Sequence, residues 1–148
     1  MLDSLHNLPE PWKDFAQIGI TYILTLAIGS EQEQEGLAVG LRTFPLVGIA
    51  SCGYVLMLGA GAHSDDQSRV IQGLVTGIGF VGGGAILRDG GIVKGTATAA
   101  SIWNAGVIGC SVAVEHYELA FFLALLNLFT LRVFLPIKNR IDSRRGKQ

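Results

Sequence analysis

Charge is what this sequence has least of. Of its 148 residues 16% are Asp, Glu, Lys or Arg, and 49% are hydrophobic, with a mean hydropathy of +0.44. No apolar stretch carries a sustained charged face, which excludes a soluble bundle of amphipathic helices. The net charge of −1 leaves no electrostatic footprint for nucleic acid. No nucleophile–base pair, His-Glu-x-x-His, phosphate loop or Cys/His metal cluster occurs. His6, His63 and His116 fall in the tail or outer loops, so we expect no enzyme and no cofactor. Cysteine is scarce too. Cys52 and Cys110 lie in apolar runs at depths that differ by about 9 Å at 1.5 Å per residue, too far for a disulfide. The N-terminus has neither a basic n-region nor an Ala-x-Ala pattern, so no cleaved signal peptide is expected.

What the sequence does have is long uncharged runs. Five approach the length of a membrane span: Phe15–Ser30, Phe44–Gly61, Val70–Leu87, Thr96–Val114 and Leu119–Leu135. The third contains six glycines. In water each interior glycine costs a helix roughly 1 kcal/mol relative to alanine. In a bilayer the helix forms regardless, because unpaired backbone groups cost more. Gly73 and Gly77 stand four apart, as do Gly79 and Gly83, the small-xxx-small spacing of packed membrane helices. The expected fold is all-α, a polytopic membrane protein with about five transmembrane helices and a buried, glycine-rich third helix at the centre.

The basic residues orient this bundle. Lys138, Arg140, Arg144, Arg145 and Lys147 crowd the C-terminus, which the positive-inside rule places in the cytoplasm. Five spans then put the N-terminus outside. Arg42, Arg88 and Lys94 fall inside, and only Lys13 and Arg69 outside: eight against two, leaving out Arg132 within the last span. The expected organisation is an external tail over 1–14, a transmembrane domain over 15–135 and a basic cytoplasmic tail over 136–148.

The first inner loop is the most polar feature. Glu31, Glu33 and Glu35 stand at the end of the first helix, where the macrodipole is already negative, and Arg42 stands at the start of the second, where it is positive. Pairing of Glu31 or Glu33 with Arg42 would offset both placements, and Thr43 can cap the second helix. Two readings stand: a solvated acidic loop, or a structured cytoplasmic-side site that holds a partner or an ion. Glu31 and Glu35, at i and i+4, could present two carboxylates to a hydrated Mg²⁺, a weak signal by itself.

Polar residues also enter the spans. Ser101, Asn104 and Ser111 mark the fourth, Thr76 the third, and Thr96 or Thr98 can cap the fourth. Two readings remain for Asn104: hydrogen bonding between helices, or, with Thr76, Thr98 and Ser101, the lining of a polar pocket. Arg132, one turn before Pro136, can snorkel to the cytoplasmic surface.

Three blocks carry a family resemblance: Ile28-Gly-Ser-Glu-Gln-Glu33 followed by Gly40-Leu-Arg-Thr43; Gly77-Ile-Gly-Phe-Val-Gly-Gly-Gly-Ala-Ile-Leu87; and Gly95-Thr-Ala-Thr-Ala-Ala-Ser-Ile-Trp103 with Ile108-Gly109. In order and spacing they resemble the membrane domain of the MgtC/SapB family, across roughly Gln17 to Ala113. The family usually reads Glu-Arg-Glu where this chain has Glu31-Gln32-Glu33, and Leu-Thr-Thr or Leu-Asn-Thr where it has Thr96-Ala97-Thr98. The sequence is similar to a short form, without the ACT-like C-terminal domain of many relatives. The resemblance implies a bacterial inner-membrane protein linked to growth at low Mg²⁺ and, in pathogens, to virulence. It implies regulation of other membrane machinery, and we expect the bilayer, a membrane-protein partner or a homo-oligomer as associates. The alternative is a small oligomeric transporter or channel for Mg²⁺ or another small solute.

Overall fold

The computed structural model describes residues 11–34, 40–59, 63–89 and 92–145. Among them run α1 (Pro11–Gln34), α2 (Thr43–Leu56), α3 (Ser64–Gly84), β1 (Leu87–Asp89), β2 (Ile92–Lys94), α4 (Thr96–Ala113) and α5 (Tyr117–Arg145). At 1.5 Å per residue α1, α3 and α5 reach about 30 Å or more, whereas the fourteen residues of α2 reach only about 21 Å. Helix α3 stops three residues short of the expected Leu87. The chain turns there into an antiparallel hairpin that pairs Leu87 with Lys94 and Arg88 with Val93. Gly95 enters α4 with φ +83, and a Cβ on it would overlap the Ala85 carbonyl. Only glycine fits this corner.

The burial pattern is inverted relative to a water-soluble bundle. The buried face of α1 is Gln17, Thr21, Thr25, Ile28 and Gln32, whereas Phe15, Tyr22 and Ile23 point outward. Helix α5 buries Ala120, Ala124 and Asn127 and exposes Phe121, Phe122, Leu125 and Phe129. So much contiguous apolar surface marks contact with a membrane or a partner. Among the described residues one stretch, Tyr117–Phe134, is long and apolar enough to cross a membrane by composition alone; α2 is apolar but short. The other long helices carry glycines and polar side chains, the polar ones buried in α1 and α4 and exposed in α3.

The central helix is α4, which packs against each of the other four helices. This corrects the expectation for α3, which lies at the edge and packs chiefly on α4. The reason is where the glycines meet neighbouring helices. A Cβ on Gly109 would overlap the Gly48 carbonyl of α2, one on Gly106 would overlap the Ile78 side chain of α3, and one on Gly48 would come within 2.6 Å of Thr25 Cγ2 on α1. Gly109 therefore sets the close approach of α4 to α2, Gly106 that of α4 to α3, and Gly48 that of α2 to α1. By contrast a Cβ on Gly73, Gly77, Gly79 or Gly83 would meet nothing within 4 Å. Of the α3 glycines only Gly82 is buried, 3.2 Å from the Ala99 carbonyl by the same measure.

Candidate functional site

Four polar contacts line up where α1, α4 and α5 meet. Thr98 and Ser101 lie one helical turn apart on α4 and face opposite neighbours. The Thr98 hydroxyl donates to Gln32 Oε1 of α1 at 3.0 Å, and the Ser101 hydroxyl donates to Asn127 Oδ1 of α5 at 2.8 Å. Asn104, two turns along α4 from Thr98, donates through Nδ2 to the Leu123 carbonyl at 3.3 Å. At the end of the row Arg132 Nε lies 3.1 and 3.2 Å from the two carboxylate oxygens of Glu31. This seam follows from antiparallel geometry: α4 and α5 run opposite ways, so Asn104, Ser101 and Thr98 descend α4 as Leu123, Asn127 and Arg132 descend α5.

Burial differs along the seam. Gln32 is fully buried, with Nε2 lacking a protein partner among the described residues, as does Asn127 Nδ2. Glu31 is mostly covered, at 17% side-chain exposure, while Arg132 is 70% exposed. The ion pair thus closes the seam against solvent without being sealed itself.

Several sequence expectations are corrected here. Glu31 pairs with Arg132, not with Arg42. Arg42 is exposed at the α2 start, and among the described residues no carboxylate pairs with it. Thr43 does not cap α2: it is the first helical residue, and the turn is closed by Phe44 N–H donating to the Gly40 carbonyl. The side chain of Glu33 and the whole of Glu35 lie outside the described residues, so the carboxylate pair drawn for Mg²⁺ is described only at Glu31. There both oxygens already face a cation.

The four polar residues assigned to one pocket do not share one. Thr98, Ser101 and Asn104 face α1 and α5, whereas Thr76 is exposed on α3 and its hydroxyl donates to Gln72 O within the same helix. Gly73 and Gly77 instead border an open groove of about 420 Å³ between α2 and α3, lined almost wholly by apolar residues such as Val47, Tyr54, Leu74 and Ile78. Trp103 is on the outside of the bundle. Cys52 is buried, Cys110 is half-buried, and they are not bonded to one another.

The contacts of Gln32 and Gln17 lie outside the sequence expectations. Gln32 is fully buried at the head of the seam, and Asn127 is, among the described residues, the only polar one on the buried face of α5. Gln17, from α1, donates through Nε2 to the Val112 and Ala113 carbonyls, at 2.9 and 3.2 Å. It thereby adds a donor at the C-terminus of α4, where helix carbonyls run out of intrahelical partners; the Val112 carbonyl also accepts from Glu115 N–H. A signal was present: Gln17, Thr21, Thr25 and Gln32 recur at helical spacing on α1.

Apolar outer faces around a polar, hydrogen-bonded interior define a helical membrane protein. Within that class the chain belongs to the MgtC family, whose model matches residues 18–140. It is 34% identical over 126 residues to “Putative magnesium transporter YhiD” of Escherichia coli K12, covering 80% of this chain and 59% of that protein. It is 29% identical to Protein SapB of Bacillus subtilis over 129 residues, covering 81% and 55%. It is 31% identical to Protein MgtC of Brucella abortus over 142 residues, covering 91% and 60%. The chain thus spans a little over half the length of these relatives. No solved structure matches it.

Proposed function

We propose that this protein is a non-enzymatic, five-span protein of the bacterial inner membrane that serves growth at low Mg²⁺ by acting on other membrane machinery. Its N-terminus lies outside and its C-terminus in the cytoplasm, as the eight-to-two distribution of basic residues supports. One observation carries the regulatory reading: the polar side chains of the seam between α1, α4 and α5 are tied to each other. Thr98 holds Gln32, Ser101 holds Asn127, and Arg132 holds both oxygens of Glu31. Of the buried side-chain atoms left over among the described residues, Thr21 Oγ1 is a single hydroxyl on α1, and those in the seam are the amide NH₂ of Gln32 and of Asn127. These present hydrogen, not oxygen, and an Mg²⁺ path needs oxygen ligands. The seam fits a structural strut whose outer end, at Glu31 and Arg132, is exposed to a cytoplasmic partner.

The name of the Escherichia coli relative favours a second reading, transport of Mg²⁺ by the bundle itself. Flux into liposomes containing the purified full chain, with and without a Mg²⁺ gradient, separates the two. Growth in low Mg²⁺ that depends on Arg132 and Glu31, with no flux above empty liposomes, is the result expected. Gradient-driven flux abolished by Ser101→Ala would overturn the regulatory reading.

A further inference from the structure

Helix α3 breaks the inverted pattern that α1 and α5 follow. Its inward face is apolar, with Ile78 and, just past its end, Ala85 against the core, and Leu74 in the groove beside α2. Its outward face, which in a lone bundle would meet lipid, carries Gln72, Thr76, Gly77, Phe80, Gly83 and Gly84, all exposed. Lipid gives no partner to a glutamine side chain, and glycines give lipid little apolar surface. They do let another backbone come close. The face has relief as well. Phe80 is 86% exposed, and the positions three and four residues to either side of it are Thr76, Gly77, Gly83 and Gly84. A single ring therefore stands in a field of small residues, a knob beside its own hole.

We propose that this face is the contact between two copies of the chain, α3 against α3, with Phe80 of each copy seated on the glycines of the other. A second copy is the occupant that the surface itself specifies. Both copies insert in the same orientation, so a two-fold axis along the membrane normal sets the two α3 helices parallel. Knob then meets hole twice, at the same depth. The charges at the outer end are also self-complementary. Asp65, Asp66 and Arg69 are exposed there, within one turn of each other, so Asp66 of one copy and Arg69 of the other stand at neighbouring heights. The inference is independent of what the protein regulates.

Disulfide trapping in native membranes tests it. In a Cys52→Ala, Cys110→Ala background of the full chain, Gly73→Cys and Thr76→Cys flank the Phe80 ring on its outer side. Leu125→Cys, on the lipid-facing side of α5, is the control. The expected result is a product of twice the chain mass, about tenfold or more above the control, lost when Phe80→Ala is added, since truncating a central aromatic anchor weakens an interface about that much. Phe80 is exposed and a Cβ at Gly77 meets nothing, so Phe80→Ala and Gly77→Leu leave the thermal unfolding of the detergent-solubilised monomer unchanged while removing the dimer. No product, equal product at all three positions, or a cross-link to a chain of different mass overturns the proposal.

Discussion

Gly109 of α4 faces the carbonyl oxygen of Gly48 on α2 so closely that a methyl group at Gly109 would overlap it. Neither backbone can retreat without opening the contact of α4 with α2 and, through Gly48 and Thr25, that of α2 with α1. Gly109→Ala is therefore expected to destabilise the fold by about 1–3 kcal/mol, the usual cost of overpacking. Gly53→Ala on α2, where a Cβ meets nothing within 4 Å, is expected to be neutral or to stabilise by up to about 1 kcal/mol through helix propensity. Thermal unfolding of both variants in the same detergent checks the contrast; equal losses would mean that the α2–α4 approach is not set by glycine.

The ion pair at the end of the seam predicts an order among arginines. Arg132→Ala leaves the mostly covered Glu31 carboxylate without its counter-charge, whereas Arg42→Ala removes a side chain with no carboxylate partner among the described residues. Because Arg132 is largely exposed, solvent screening keeps its loss to about 1 kcal/mol or less. A double-mutant cycle with Glu31→Gln should show coupling for Arg132 and none for Arg42. Coupling to Arg42 instead would restore the pairing across the first inner loop.

Within the seam, Thr98→Val strands Gln32 Oε1 and Ser101→Ala strands Asn127 Oδ1. Each is expected to cost about 1 kcal/mol, the scale of hydrogen bonds between membrane helices. Replacing both members of the second pair, Ser101→Ala with Asn127→Leu, should cost less than the sum of the singles, because no buried polar group is left unpaired. Strict additivity in chemical denaturation would show that the two side chains do not interact.

Orientation is tested at the chain end. A reporter fused after Gln148 is expected to be active only as a cytoplasmic one, as the excess of basic residues on that side requires. Periplasmic activity at this fusion would invert the bundle and place Glu31 and Arg132 outside.

Much of the helical framework is legible in the residues themselves. The uncharged runs mark five helices. The seam was legible only in part. Thr98, Ser101 and Asn104 stand out as polar residues in an apolar run, but nothing local says that Ser101 meets Asn127 or that Thr98 meets Gln32. The partner of Glu31 was misread because the dipole argument weighs only charges near in sequence. Arg42 is eleven positions away and Arg132 one hundred and one, yet α5 returns its arginine to the end of α1.

Glycine shows the same division. Sequence determines where glycines are dense, in Val70–Leu87, and density was read as burial. The tertiary structure uses sparser ones, Gly48, Gly106 and Gly109, for close contacts between helices, and leaves Gly73, Gly77, Gly79 and Gly83 open. The physical reason is that spacing tells which glycines share a helix face, while the partner of that face depends on how the helices are arranged around α4. Composition and hydropathy, being sums over residues, establish by themselves that the chain is helical and lives at a membrane. Which face meets which neighbour is a property of pairs distant in sequence, and only the packed bundle decides it.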